Sequence, residues 1–381
     1  MQPVVSAASI PPANAAPRGR RPDAEGAGTR GAETEGALPG ARSGARSGPW
    51  PGPRPASLPA PQGVPGLRRA QLFIDARHGL GNRLRAVASA AAIAAHTGRE
   101  LVIIWEPDAH CAARFTDLFR YDGPVIETPF PRLFALAGGR LWNYMEIEPG
   151  AEKDAPVLAD EAPAGSLAQT AAGTGARASG PAASAAFDRA AAGRGDVYVR
   201  SAYPLVSPHA AWPAQRAFLQ GLRPVPEVAE MLASVAAPSR VSAHVRMASG
   251  PGYEHLPWES PAGWTPAGHA KLIAWRAKSH ARHFMARLDA LVAEGAADTI
   301  FLAADLPETY DAFRDRYGAR LRCLPRAVHD RSVEQLRHAL ADMLLLGRAE
   351  RFLGSTWSSF SDMACRLAPA PLRVEMSGRD F

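Results

Sequence analysis

His244 and Arg246 stand two residues apart in the run SAHVRM. In an extended strand that spacing sends both side chains to one face. A planar guanidinium there offers two parallel hydrogen bonds to phosphate oxygens. The same residues also suit an ion pair between Arg246 and a carboxylate beside a packed, half-buried His244. Further on, FLAAD ends at Asp305, where a carboxylate can accept hydrogen bonds from ribose hydroxyls or a guanine edge. The competing role is a helix N-cap before PETYDAF, with Pro307 near the first helical position. The run LGSTWSSFSDMACRLA sets Ser355, Thr356, Ser358, Ser359 and Ser361, with Phe360 among them, where a strand passes into a helix. Hydroxyls and free N–H groups at a helix start form an anion site, whereas a cap needs only one serine. Upstream, DARHGLGNRLRA carries Gly79, Gly81 and Asn82 at a strand-to-helix turn. Glycine allows positive φ and close backbone approach, and Arg83 and Arg85 add charge. The turn lacks the Gly-Lys-Ser/Thr ending of a P-loop and the third glycine of a dinucleotide fingerprint. An ordinary turn with solvated arginines is the alternative.

The surrounding pattern says what must position these groups. QLFIDA and ELVIIW read as strands around a long alanine-rich helix. DVYVRSAYPL at 196–205 resumes order after residues 106–150, which mix short apolar runs with prolines and end in LWNYMEIEP. PEVAEMLASVA reads as a helix, RVSAHVRM as a strand, and SHARHFMARLDALVAEG as a helix with Gly295 near its C-cap. TIFLAAD, RLRCLP and RFLGS read as strands, separated by ETYDAFRDRYG and SVEQLRHALADMLLLGRA and followed by SSFSDMACRLA, all helical patterns. Such alternation predicts an α/β fold with parallel, doubly wound sheets. Those sheets bind ligands at the carboxyl ends of their strands, where Arg246, Asp305 and the serine run fall.

Composition narrows the function further. The 381 residues suffice for two domains with their own cores. Residues 1–69 hold 13 Pro and 11 Gly and predict a disordered, arginine-bearing tail. They contain no apolar stretch of the secretory type, and no run of apolar residues is long enough to span a membrane. The formal charge of +6 divides into +5 on residues 1–69, from nine Arg and four acidic residues, and +1 on the rest. A nucleic-acid-binding face on the folded part is therefore not expected. Cys111, Cys323 and Cys365 make neither a disulfide framework nor a zinc pattern, which fits a reducing, cytoplasmic setting. Between 161 and 186, 11 Ala, 4 Gly and 3 Ser mark a flexible insertion. The expected organisation is a tail at 1–69, a first domain at 70–195 with an Ala-rich insertion over about 151–195, and a second domain at 196–381.

Taken in order, GLGNRLRA, HVR, FLAAD and GSTWSSFS resemble the fucosyltransferase superfamily. That group includes the rhizobial NodZ enzymes, the α1,6-fucosyltransferases and the protein O-fucosyltransferases. The resemblance covers roughly 70–368 and each motif is short; their order and spacing make it specific. It implies a GT-B fold of two Rossmann-like domains with a nucleotide-sugar cleft between them. It also implies inverting, metal-independent transfer from a GDP-sugar, usually GDP-fucose, to a glycan or glycoconjugate acceptor. By position, Arg246 would hold the donor β-phosphate, and His244 and Asp305 would face the guanosine. The segment Ser355, Thr356, Ser358, Ser359 and Phe360 would close over the pyrophosphate, with Gly79, Gly81 and Asn82 approaching from the other domain. Glu254, ten residues after His244, falls at the offset of a proposed catalytic glutamate. No cofactor and no metal ion are expected, because an arginine with helix N-terminal amides can neutralise the leaving diphosphate, and the chain contains no Asp-x-Asp motif.

The chain also departs from the family. Met247 stands where relatives often carry a second basic residue, Ser249 where an acidic one is common, and 106–195 matches no relative. Tyr253, Trp258, Trp264 and Trp275 could stack on acceptor sugars or serve as core aromatics. Two other readings share these residues: a nucleotide-binding protein of the same fold without turnover, and a GT-B transferase using another nucleotide sugar. Contact with a membrane surface is left open. Because residues 1–69 lack the apolar content for a core of their own, deleting them is expected to leave the melting temperature and GDP affinity unchanged. A truncated protein that melts many degrees lower would show that the tail packs on the folded part.

Overall fold

The structure, a computed structural model, describes residues 69–129, 140–146, 148–161, 163, 195–235, 239–250, 252–253, 255–256, 261, 264–326 and 330–381. All lie in the compact unit Arg54–Phe381. The expected tail except Arg69, most of the Ala-rich insertion, Glu254 and Trp258 lie outside the described residues.

Two five-stranded parallel sheets form the frame. The first contains β1 (Gln71–Ala76), β2 (Glu100–Ile104), β4 (Val125–Ile126), β5 (Arg140–Asn143) and β6 (Val197–Ser201), in the order β4-β2-β1-β6-β5. The second contains β8 (Val241–Val245), β9 (Ile300–Ala304), β10 (Leu321–Arg322), β11 (Arg351–Gly354) and β12 (Arg373–Met376), in the order β10-β9-β8-β11-β12. A short antiparallel pair joins β3 (Phe119–Arg120) to β7 (Arg223–Pro224). These are the two Rossmann-like halves expected from the sequence. One boundary differs. Val197–Ser201, expected to open the second domain, pairs along β1 with Leu72 opposite Val197 and Ala76 opposite Ser201. The alanine-rich stretch therefore interrupts the first half and does not end it.

Both sheets wind outward from a central strand and then return to its other side. The reversal falls between β1 and β6 in the first sheet and between β8 and β11 in the second. These switch points are where loops from neighbouring strands diverge and leave a crevice at the carboxyl ends. All five residues of β8 and of β9 are buried, polar Ser242 and His244 among them, as a sheet covered on both faces requires.

Eight α-helices of the described residues cover the sheets: α1 (Leu80–Thr97), α2 (Trp212–Gly221), α3 (Pro226–Ser234), α4 (Pro266–Lys278), α5 (Ala281–Ala293), α6 (Pro307–Tyr317), α7 (Val333–Leu346) and α8 (Ser359–Leu367). None is long and apolar enough to cross a membrane. Helices α2 and α4 do not stand out in the sequence, because Trp-Pro-Ala and Pro-Ala-Gly resemble breakers. Their prolines sit in the first turn, where no N–H is needed, and the Thr265 hydroxyl accepts from the Gly268 N–H to cap α4. On one face of the second sheet, Phe284 and Leu288 of α5 and Phe313 of α6 pack on Val241, Val245 and Leu302. On its other face the core continues into the first half. Leu72, Ile74, Leu84 and Ile93 belong to one cluster with Leu340, Phe352 and Met363.

Helix α1 meets α8 across this shared core. A Cβ placed on Gly81 would lie 2.7 Å from the Ser359 carbonyl oxygen and 3.1 Å from the Phe360 nitrogen, both backbone atoms. A helical glycine replaced by alanine ordinarily gains about 1 kcal/mol. Here steric overlap reverses the sign, and Gly81→Ala is expected to destabilise by about 1–3 kcal/mol, the usual scale of overpacking. Gly221, the last residue of α2, has open space around its Cα, so Gly221→Ala is the control and is expected to be neutral or stabilising. Chemical denaturation of both variants checks this. Equal stability of Gly81→Ala and the parent would mean that the helices do not meet at this distance.

Candidate active site

The residues singled out by sequence gather at the two switch points. Arg246 follows β8, Ser355 follows β11 and Asp305 follows β9. The Arg246 guanidinium donates from Nη1 to Asp305 Oδ2 at 2.5 Å and to the Ala248 carbonyl at 2.8 Å. The amides of Met247 and Ala248 donate to the same carboxylate oxygen at 3.1 and 2.8 Å. Burial would raise the Asp305 pKa; the charge and hydrogen bond of Arg246, with the Ala248 amide, hold it below the ordinary carboxylate value. Asp305 therefore aims Arg246 and shapes the loop after β8. It does not cap α6, whose N-cap is Leu306.

His244 lies inside this arrangement. It is buried, its Nδ1 is 2.8 Å from Ser361 Oγ, and its ring stacks on Phe360 with centroids 4.5 Å apart. The serine run behaves in the same way. Ser355 Oγ donates to the His244 carbonyl at 2.8 Å and accepts from the Arg246 N–H at 2.9 Å. Ser361 Oγ accepts from the Ser355 N–H, and Thr356 Oγ1 donates to the Ser377 carbonyl. Ser358 caps α8 through the Ser361 N–H. Four of these hydroxyls thus tie the end of β11 to β8, to the residue after β12 and to the start of α8, a demand that capping alone does not account for. Ser359 is half-buried and carries the backbone that meets Gly81. Beside it, Trp357 is 43% exposed at φ 63°, with its carbonyl held by Arg276 Nη2 at 3.3 Å.

On the first sheet Gly81 makes the close backbone approach expected of it, but to α8, and the expected positive φ is not at either glycine. Gly79 has φ −68° and Gly81 is helical, so neither uses left-handed freedom. The left-handed residue is His78, at φ 65°. A non-glycine there costs about 1–3 kcal/mol and persists only where neighbours enforce it. Arg83 does so. Its side chain is wholly buried and donates to the His78 carbonyl at 2.6 Å, to the Glu106 carbonyl at 2.8 Å and to Asp108 at 2.7 Å. Arg83 is thus a brace and not a solvated charge. Asn82 Oδ1 accepts from Arg85 Nη2 at 2.6 Å, and Arg85 also donates to the Ala202 carbonyl.

Sequence reasoning passed over a polar group at the carboxyl edge of the first sheet. Asp75, 1% exposed, pairs with Arg77 at 2.7 Å and Arg200 at 3.4 Å and accepts from the Tyr198 hydroxyl at 2.5 Å. The signal was available: charged residues within the buried strands FIDAR and VYVRS. His78 takes the positive φ in a turn where the adjacent Gly79 is the residue type that ordinarily would. Tyr253, Trp264 and Trp275 are each half-buried, with Lys278 over the Trp275 ring. Among the described residues no group of three or more His, Cys, Asp or Glu is arranged to hold a metal ion.

Burial, opposed by Asp305 and assisted by Arg246 and Arg276, pushes the His244 pKa from 6.5 down to about 3. Held neutral when folded, the ring takes up a proton on unfolding. Stability is therefore unaffected above pH 6.5 and falls as the pH drops from about 6.5 toward 3. His244→Gln is expected to be less stable at pH 7 yet to lose up to about 1.4 kcal/mol per pH unit of acid sensitivity. Urea titrations at pH 6 and pH 4 measure it, and an unchanged difference between the two pH values would rule the titration out.

No family model matches the chain, and no curated protein does. Among solved structures, it is similar to the NodZ α-1,6-fucosyltransferase soaked with GDP-fucose, at TM-score 0.45 and 18% identity over 79% of this chain and 94% of that one. It is similar to the fucosyltransferase NodZ from Bradyrhizobium, at TM-score 0.44 and 17% identity over 79% and 95%. It is also similar to POFUT1 in complex with GDP-fucose, at TM-score 0.45 and 14% identity over 81% and 98%.

Proposed function

We propose that the chain is a glycosyltransferase that moves a sugar, fucose in the first instance, from a GDP-sugar to a glycan or glycoconjugate acceptor, with inversion and without a metal ion. The observation that carries this reading is the meeting of the two helix starts. The N-terminus of α1 and the N-terminus of α8 touch at Gly81 and Ser359, each at the switch point of its own sheet, with Arg246 at the neighbouring strand end. Two helix starts and a guanidinium brought to one place suit a diphosphate, since each supplies N–H donors and positive potential. The donor class follows the motif resemblance set out above.

In this arrangement the chain's own residues have separate tasks. Asp305 holds the Arg246 guanidinium and the Ser355 hydroxyl accepts from the Arg246 N–H, so the guanidinium is set before charge develops on the leaving diphosphate. The α8 start supplies amides of Ser359 and Phe360 in its first turn. His244 and Phe360 form the packed floor beneath them. The absence of Asp-x-Asp is consistent with charge neutralisation by these groups.

One experiment tests donor, arginine and metal together: thermal shift and GDP release from GDP-fucose, all in excess EDTA. GDP at 100 times its dissociation constant is expected to stabilise by about 2.7 kcal/mol, with UDP at the same concentration giving a smaller shift. Arg246→Lys keeps the charge but loses the fork, and is expected to slow GDP release by about 10²–10³-fold. Wild-type rates in Arg246→Lys would remove the phosphate role. Preference for UDP would change the donor, and metal-reversible loss in EDTA would overturn metal independence.

A further inference from the structure

We propose that His78 is the general base of the transfer, taking the proton from the acceptor hydroxyl as that oxygen attacks the anomeric carbon. The proposal rests on the nucleotide-sugar reading above. Its first support is place. His78 lies in the turn between β1 and α1, at the switch point of the first sheet and three residues before Gly81, whose Cα meets the start of α8. Its side chain is half-buried and stays partly exposed beside the loop after β2.

The second support is conformation. A histidine at φ 65° is maintained by a fully buried arginine whose Nε is committed to the His78 carbonyl. Glycine at 78 would relieve the backbone; the chain has an imidazole there and its glycine one residue later. Strain retained at the mouth of a crevice is a recurrent mark of a working group.

The third support is chemistry. Among the described residues neither ring nitrogen of His78 is engaged in a hydrogen bond, and the neighbouring ring is His110, 5.3 Å away and tilted by 36°. The charged and titratable groups facing it are His110 and Asp108 from the loop after β2 and Arg83 and Arg85 from α1. Burial, then His110, lowers its pKa to about 4, with Asp108 opposing and the two arginines assisting. The ring is thus neutral at pH 7, with a lone pair to accept a proton and a basicity close to that of a carboxylate. The acceptor O–H bond breaks and its proton goes to the free ring nitrogen. The acceptor oxygen bonds to the anomeric carbon, and the carbon–oxygen bond to the β-phosphate breaks, its electron pair leaving with GDP.

The test uses the full chain and water as acceptor, followed as GDP release from GDP-fucose. His78→Asn tolerates the left-handed backbone but lacks a base, and His78→Gly removes the strain as well. Both are expected to lower kcat at least about 100-fold, to keep the parental thermal shift with GDP, to melt no lower than the parent, and to lose the acid limb of the pH–rate profile. Rates within about threefold of the parent in both variants would overturn the proposal. Loss of the GDP shift in step with the rate would assign His78 to binding and overturn it also. A large loss in Glu254→Gln with His78 variants unaffected would move the base to Glu254. If the parent neither binds GDP nor releases it from GDP-fucose, the nucleotide-sugar reading is what fails, and the base assignment falls with it.

Discussion

The site depends on one close approach. Gly81 lets the first turn of α1 reach the backbone of Ser359 and Phe360, and no other residue type leaves room for it. Everything else at the seam takes its place from that contact. It brings the turn after β1 and the turn after β11 to the same region, although Ser359 lies 278 residues after Gly81, and it sets both helix dipoles at one point. The contact is steric in origin, but its effect is electrostatic.

Around it, each half fixes its loop with a buried charged group. In the second half Asp305 gathers the Arg246 guanidinium and two loop amides. In the first half Arg83 gathers two carbonyls and Asp108. Neither charge is left uncompensated, as burial demands. The two devices are mirror images in chemistry: an acid that organises donors on one side, a base that organises acceptors on the other.

Much of this was legible in the sequence. The alternation of apolar strands with helical patterns gave the two parallel sheets, since a strand buried on both faces needs the continuous runs seen in IFLAA and LVII. The placement of Arg246, Asp305 and the serine run at strand ends followed from the same pattern. What was not legible came from non-local pairing. Nothing in VYVRS says that it lies against β1, because parallel partners can be any distance apart along the chain. The strained residue was sought at Gly79 and Gly81, since glycine is the default for positive φ. The deciding bond, from Arg83 to the His78 carbonyl, spans five residues but depends on Arg83 being buried, which its charge argues against. The serines looked like ligand groups because their count exceeded capping needs, and only the tertiary pairing of β11 with β8 shows what else their hydroxyls satisfy.

The shared core has a consequence for how the two halves can move. Leu84 on α1 and Met363 on α8 belong to one apolar cluster that runs from sheet to sheet. Parting the helices would expose such side chains at about 1.5–3 kcal/mol each, while sliding α1 along α8 by a fraction of a turn would keep them covered. Any rearrangement at this contact is thereby biased toward shear of α1 over α8, in which the Gly81 backbone travels over that of Ser359 and Phe360.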